Sequence, residues 1–246
     1  MRSNLMTATF RVASFLAVVT TLACAPAPGA EAAANGASNP ATGCSAPPLA
    51  LPLEQTDVRQ FVTVVAVRGS TVASVALWSK SKACMRRVAG PWPAEIGRSG
   101  LFQHKVEGDG STPVGTYAIG SVMYGVAANP GVSYRYHRLT CGDWWDEAPS
   151  SPMYNRFVHV ACGTAPPFGG DSEALWEVVP QYDYFAVIDY NVSPIVPGRG
   201  SAIFLHISTG VPTAGCIALA PRDLLETLRW LRSIDHPLIA IAFAAS

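Results

Sequence analysis

Apolar positions in this chain come mostly in short β-branched runs separated by glycine, proline and aspartate. "FVTVVAVRGSTVASVALWSK" (61–80) is two such runs around Arg68-Gly69-Ser70, which predicts a hairpin. "VGTYAIGSV" (114–122), "RFVHVAC" (156–162), "YFAVIDYN" (184–191), "SAIFLHI" (201–207) and "HPLIAIAFA" (236–244) predict further strands. One segment has a helical period. "PRDLLETLRWLRS" (221–233) opens on proline, puts Asp223 and Glu226 early and Arg229 and Arg232 late, and lines up Leu224, Leu225, Leu228 and Leu231. The connections 85–112, 123–155 and 163–181 are rich in Pro, Gly and Trp and long enough to cover a site. The pattern predicts a mainly β domain with one or two helices.

The first 32 residues read differently. Arg2 and Arg11 precede an uncharged apolar run, Val12 to Ala23, followed by small residues and prolines. That order is a secretory signal peptide, and the run is too short to span a bilayer. Residues 33–55 read as a flexible Ala/Pro/Gly-rich linker and 56–246 as one domain. Cys24 offers lipid anchoring as an alternative, but "TLA" before it is a poor lipidation signal, so secretion to the cell wall is the leading expectation.

Seventeen basic and seventeen acidic residues cancel, and no basic run suggests a grip on nucleic acid. No later segment is long and apolar enough for a membrane span. Of six cysteines, five follow the leader, and an odd number in an exported chain leaves one thiol unpaired. Cys216 is the natural odd one, in a Gly-Cys turn with His206 upstream. Cys44–Cys84 and Cys141–Cys162 are the expected disulfides, since each pair brackets neighbouring strands and loops, although four cysteines allow three pairings. No Cys-x-x-Cys pair exists and the five histidines lack ligand spacing, so no metal site is expected.

The candidate chemistry lies in "FLHISTGVPTAGCIAL" (204–219). A histidine in reach of a cysteine generates the thiolate nucleophile, and N–H donors at a glycine turn stabilise the oxyanion that attack creates. From spacing alone a buried structural cysteine beside a hydrogen-bonded core histidine fits as well. His206 followed by Thr213-Ala214-Gly215-Cys216 resembles the signature of the L,D-transpeptidase (YkuD-type) family. "GDGSTPVGTYAIG" (108–120) resembles its early Asp-Gly-x-x-Thr-Pro-x-Gly strand, and "SPMYNR" (151–156) and "DYNVSPIVPGRGSAIFLH" (189–206) its short exported members.

The resemblance implies a mixed β-sandwich with the cysteine turn under loops, and no cofactor. It implies acyl transfer from a peptidoglycan stem peptide through a Cys216 thioester, with His206 as base and the Gly215 and Cys216 amides on the oxyanion. An amine acceptor would give a 3→3 crosslink and water a carboxypeptidase reaction; carbapenems would acylate Cys216. Thr213, Ser208, Tyr154, Asn155 and Arg156 are the candidate substrate-binding residues, against turn capping for Thr213 and surface cover for the tyrosine and arginine. Trp144 and Trp145 are expected to pack, and His104, His137 and His159 to be structural or solvated. Many relatives carry histidine where this chain has Ala214, and arginine or asparagine where it has Ala218, leaving acceptor and partition open. The competing readings are a catalytically silent wall-binding domain and a wall-peptide amide hydrolase on the same fold.

Overall fold

The computed structural model describes residues 44–82, 84–169 and 172–245. The expected signal peptide, Cys24 and the linker up to residue 43 lie outside them. The remainder of the expected linker is fastened to the domain: Cys44 is disulfide-bonded to Cys84, and Ser45 N–H donates to Met85 O at 2.8 Å.

Fourteen strands, one α-helix and three short 3₁₀-helices make up the regular structure of the described residues. In chain order the strands are β1 (Gln60–Ala66), β2 (Val72–Ser81), β3 (Cys84–Glu95), β4 (Leu101–Phe102), β5 (Thr112–Pro113), β6 (Gly115–Gly125) and β7 (Arg135–Arg138), followed by β8 (Asp143–Asp146), β9 (Arg156–His159), β10 (Glu173–Ala174), β11 (Phe185–Ile188), β12 (Phe204–Ile207), β13 (Ile217–Leu219) and β14 (Leu238–Phe243). The main sheet runs β11-β12-β13-β3-β2-β1-β14-β6-β7, and β11 also pairs with β6, so the sheet closes on itself with β7 attached outside the ring. It is mixed: β1–β14, β6–β7 and β12–β13 are parallel and the other pairs antiparallel. A small sheet, β10-β8-β9, lies beside it. The expected mixed, mainly β architecture is present.

The hairpin at 61–80 forms as β1 and β2, with Gly69 in the left-handed region at φ +76°. All the other predicted strands form, shortened at their ends by one to three residues on most sides. β3, β4, β7, β8 and β10 arise largely inside segments read as loops, and β13 in a stretch given no element. β3 contains Gly90, Pro91 and Pro93, which argue against a strand, yet its pairing with β2 slips register at Val75–Trp78, and such irregularities are where a sheet tolerates proline.

Helix α1 (Pro221–Trp230) is three residues shorter than its periodicity predicts, because Leu231 turns extended and buries its side chain. Its Leu224 and Leu228 are buried and the helix packs on β12 and β13. Full burial of each leucine contributes about 1.5–3 kcal/mol, which fixes the helix against the two strands that carry the candidate chemistry.

The second expected disulfide, Cys141–Cys162, is also present and closes the loop before β8 onto the end of β9. Between those cysteines Asp143 is wholly buried and accepts hydrogen bonds from His137 Nε2 at 2.9 Å and His159 Nδ1 at 2.6 Å. Thr140 adds its N–H at 2.7 Å. Burial pushes the Asp143 carboxyl up, but these hydrogen bonds outweigh it and hold the group below the ordinary aspartate value. Two of the histidines expected to be structural or solvated therefore clamp β7 and β9 to β8.

Candidate active site

Strand alternation and register bring the two central residues together. In the parallel β12–β13 pair Leu205 lies opposite Ile217 and His206 opposite Ala218, which puts Cys216 level with Phe204. Side chains two apart share a face, so Phe204, His206, Cys216 and Ala218 share one. His206 and Cys216 are then diagonal neighbours, about 7–8 Å apart at the backbone, a gap that an imidazole and a thiol can span. Both line a cavity of about 180 Å³ together with Glu173, Tyr182, Thr213 and Ala218. Both are buried, at 7% and 8% exposure.

His206 Nδ1 lies 2.8 Å from Ile207 O. A carbonyl only accepts, so Nδ1 carries the proton and the neutral ring offers Nε2 as a base. The Tyr182 ring packs edge-on against the imidazole at 5.5 Å between centroids. Burial lowers the His206 pKa, against the Ile207 carbonyl and the charge of Glu95, so the ring is neutral at pH 7.

Cys216 Sγ donates to Ala202 O at 3.1 Å and accepts the Phe204 N–H at 3.3 Å. Among the described residues these backbone groups, not His206, are its hydrogen-bond partners. Burial pushes the thiol far above its ordinary pKa; Glu173 and Glu147 push the same way, and the Phe204 amide and Lys105 oppose them. The resting residue is a thiol held on Ala202 O.

The turn before Cys216 is held from both sides. Thr213 Oγ1 donates to Cys216 O at 2.6 Å and accepts the Gly215 N–H at 3.1 Å. Thr112 Oγ1, from the "STP" of the upstream motif, donates to Gly215 O at 2.8 Å and accepts the Gly97 N–H at 2.8 Å. Gly215 has φ +152°, and a Cβ there would sit 2.8 Å from Ser111 O and 3.2 Å from Lys105 Nζ. Only glycine fits this backbone without strain. The Gly215 amide proposed for the oxyanion is thus already engaged by Thr213.

The other sequence-predicted residues sit further out. Asn155 is buried with four hydrogen bonds: Oδ1 accepts Trp145 Nε1 and Ala202 N–H, each at 3.1 Å, and Nδ2 donates to Tyr190 O at 3.1 Å and Asn191 O at 2.9 Å. It sets the position of Ala202, whose carbonyl holds the sulfur. Tyr154 is buried and bonds Glu107 through its hydroxyl, which also accepts the Gly200 N–H. Ser208 Oγ accepts the Gly210 N–H at 2.9 Å, and Arg156 is exposed on β9 opposite Asp146. None of Ser208, Tyr154, Asn155 and Arg156 lines the cavity with His206. Trp145 packs edge-on against Phe204 at 4.9 Å, as expected of a packing aromatic.

A second cavity, of about 230 Å³, meets the first at Glu173, Ala214 and Cys216 and is lined by Arg98, Lys105, Glu107 and Glu147. The Lys105 side chain is only 3% exposed and pairs with Asp109 at 3.0 Å; Asp109 also takes the Ser111 hydroxyl and the Val106 and Ser111 amides. These charges went unread in the sequence because they come from four separate segments. Among the described residues no group of three or more His, Cys, Asp or Glu could hold a metal, and no helix is long and apolar enough to cross a membrane.

A closed mixed sheet thus presents a cysteine on a glycine turn and a neutral histidine to one cavity. The chain belongs to the YkuD family: a profile of the L,D-transpeptidase catalytic domain matches residues 73–236. No curated protein matches it. Among solved structures it is similar to the helical cell shape determining protein Pgp2 from Campylobacter jejuni, at 16% identity and a TM-score of 0.34, covering 76% of this chain and 49% of that one. A mutant of Pgp2 gives 14% identity and 0.36 over the same shares. The chain therefore spans about half the length of these structures.

Proposed function

We propose that this protein is an exported cysteine acyltransferase acting on peptidoglycan stem peptides, with Cys216 as nucleophile and His206 as base. The observation that carries the reading is the shared cavity: a buried thiol in the turn entering β13 and a neutral imidazole on the adjacent β12, with Nε2 unprotonated, in a YkuD-family domain. The two disulfides fit an oxidising, extracytoplasmic compartment.

Nε2 takes the thiol proton as Sγ attacks the carbonyl of the stem-peptide bond to the terminal D-amino acid. The oxyanion is held by the Cys216 amide, joined by the Gly215 amide when Thr213 Oγ1 releases it. The imidazolium returns its proton to the leaving amine, and the thioester passes to an acceptor amine or to water. The resting thiol lies high in pKa, so proton transfer accompanies attack rather than preceding it. Thr213 is the substrate-side residue that reaches the cavity. Tyr154 and Asn155 act through the wall behind it, Ser208 through the loop after β12 and Arg156 from the exposed face of β9. A carbapenem would acylate the same sulfur.

The test is incubation with purified stem tetrapeptide, following release of D-alanine by mass spectrometry. Wild type releases it, Cys216→Ala does not, and His206→Ala is slower by about 10²–10⁴-fold. Full turnover by Cys216→Ala would leave a silent fold or another centre.

A further inference from the structure

Lys105 is a charge that the attack just described does not use. Its side chain is only 3% exposed, and lysines are almost never buried so deeply unless paired. Its one hydrogen bond among the described residues is the 3.0 Å pair with Asp109 Oδ1. An ammonium carries three N–H groups, so two are left over. The fold clears a path for this side chain between two glycines. A Cβ on Gly200, at φ +100°, would lie 2.7 Å from Lys105 Cε, and a Cβ on Gly215 would lie 3.2 Å from Nζ. The lysine stem therefore runs past Gly200 and delivers its ammonium to the turn that carries Cys216. Asp109 fixes it there, being held in turn by the Val106 and Ser111 amides and the Ser111 hydroxyl. Lys105 and Cys216 line the same cavity of about 230 Å³. Two carboxylates of that cavity are turned to hydroxyl donors: Glu107 accepts Tyr154 and Ser201, and Glu173 accepts Tyr182. Arg98 lies exposed at the rim, with one guanidinium N–H on Gly108 O at 3.2 Å.

The turn is short of such a donor. The Gly215 N–H is held by Thr213 Oγ1 at 3.1 Å and becomes free only through a rearrangement. We propose that the Lys105 ammonium donates a hydrogen bond to the oxyanion, which then has two donors, Lys105 and the Cys216 amide, before Thr213 releases Gly215. This rests on the acyl-transfer reading above. As Sγ attacks, the π pair of the carbonyl moves onto oxygen, and a spare Lys105 N–H meets the new charge. Collapse returns that pair, re-forms C=O and breaks the C–N bond to the amine that His206 protonates. Lys105 stays an ammonium throughout and passes no proton. Its charge is also felt at the sulfur: burial first, then Glu173, push the Cys216 thiol up in pKa, and Lys105 pulls against them. A preformed donor aimed at charge that develops only in the transition state raises turnover rather than substrate affinity.

The test compares acylation of Cys216, which passes through an oxyanion, with its alkylation by iodoacetamide, which does not. Cys216 is the free cysteine among the described residues, and peptide mapping reads both adducts. The acyl donors are the stem tetrapeptide and p-nitrophenyl acetate. In Lys105→Met, which keeps the apolar stem, acylation and kcat should fall about 10²–10³-fold, with KM and the alkylation rate within about threefold of wild type. Should that variant not fold, Lys105→Gln, which keeps an N–H for Asp109, is read the same way. Wild-type acylation in the folded variant overturns the assignment. So does a parallel fall of acylation and alkylation, the mark of a lysine that only shapes the surroundings of the thiol. A wild type that the ester acylates but that releases no D-alanine sinks the stem-peptide reading and leaves Lys105 tested by the ester. Acylation of wild type by neither donor overturns both.

Discussion

Asn155 separates two accounts of one residue. Its sequence position suggested contact with substrate; its structure makes it a bracket behind the nucleophile. Asn155→Ala removes four hydrogen bonds and leaves Trp145 Nε1, Ala202 N–H and the Tyr190 and Asn191 carbonyls without that partner. At about 0.5–1.5 kcal/mol net for each bond the loss is about 2–6 kcal/mol, centred near 4. A domain of this size shifts its midpoint by about 2–4 °C per kcal/mol, so the melting temperature should fall by about 8–16 °C. Alanine adds to this at φ +57°, a left-handed backbone that asparagine tolerates better. Differential scanning calorimetry with disulfides intact reads the stability. Because Ala202 O holds the sulfur, D-alanine release should fall in the same variant at temperatures where it remains folded. A melting temperature within 2 °C of wild type, with only the apparent substrate affinity reduced, would refute the bracket and restore Asn155 as a binding residue.

Other perturbations follow from the same contacts. Gly215→Ala forces a Cβ against Ser111 O at a positive φ, so stability should drop by about 1–3 kcal/mol in urea titrations and acylation should be lost with the turn. Asp143→Asn should destabilise the protein by about 1–3 kcal/mol at pH 7. Since the folded Asp143 pKa is depressed, that difference is present above about pH 4 and vanishes as pH falls through the folded value, which chemical denaturation at pH 7 and pH 3 compares. The folded His206 pKa is depressed and the folded Cys216 pKa is raised. The rate of D-alanine release should therefore hold level from about pH 6.5 to pH 8.5 and decline only below that range, as the imidazole protonates. A rate rising tenfold per pH unit across that window would mean a free thiolate is required.

The parts of this protein written in local sequence were readable, and the parts assembled from distance were not. The β1–β2 hairpin, β12 and the amphipathic α1 each carry a period and end signals within a dozen residues. The odd cysteine identified Cys216 as unpaired, and the two disulfide pairings came from which loops the cysteines bracket. β3 was hidden by its prolines, and β13 is only three residues long, recognisable as a strand through its pairing with β12 and β3. Thr112 was visible as part of a motif, but its role under Gly215 depends on a contact between positions 103 residues apart. Glu173 and Lys105 have no local signature at all: a charge becomes informative only when the fold buries it beside the sulfur.

The central claim is that Cys216 forms a covalent acyl intermediate. Acid-quenched protein, taken within the first turnover with stem tetrapeptide, can be digested and mapped by mass spectrometry. The account predicts a tripeptidyl thioester on the peptide containing Cys216, removable by hydroxylamine. D-alanine release with an unmodified Cys216 peptide at every quench time, and full release by Cys216→Ala, would contradict it.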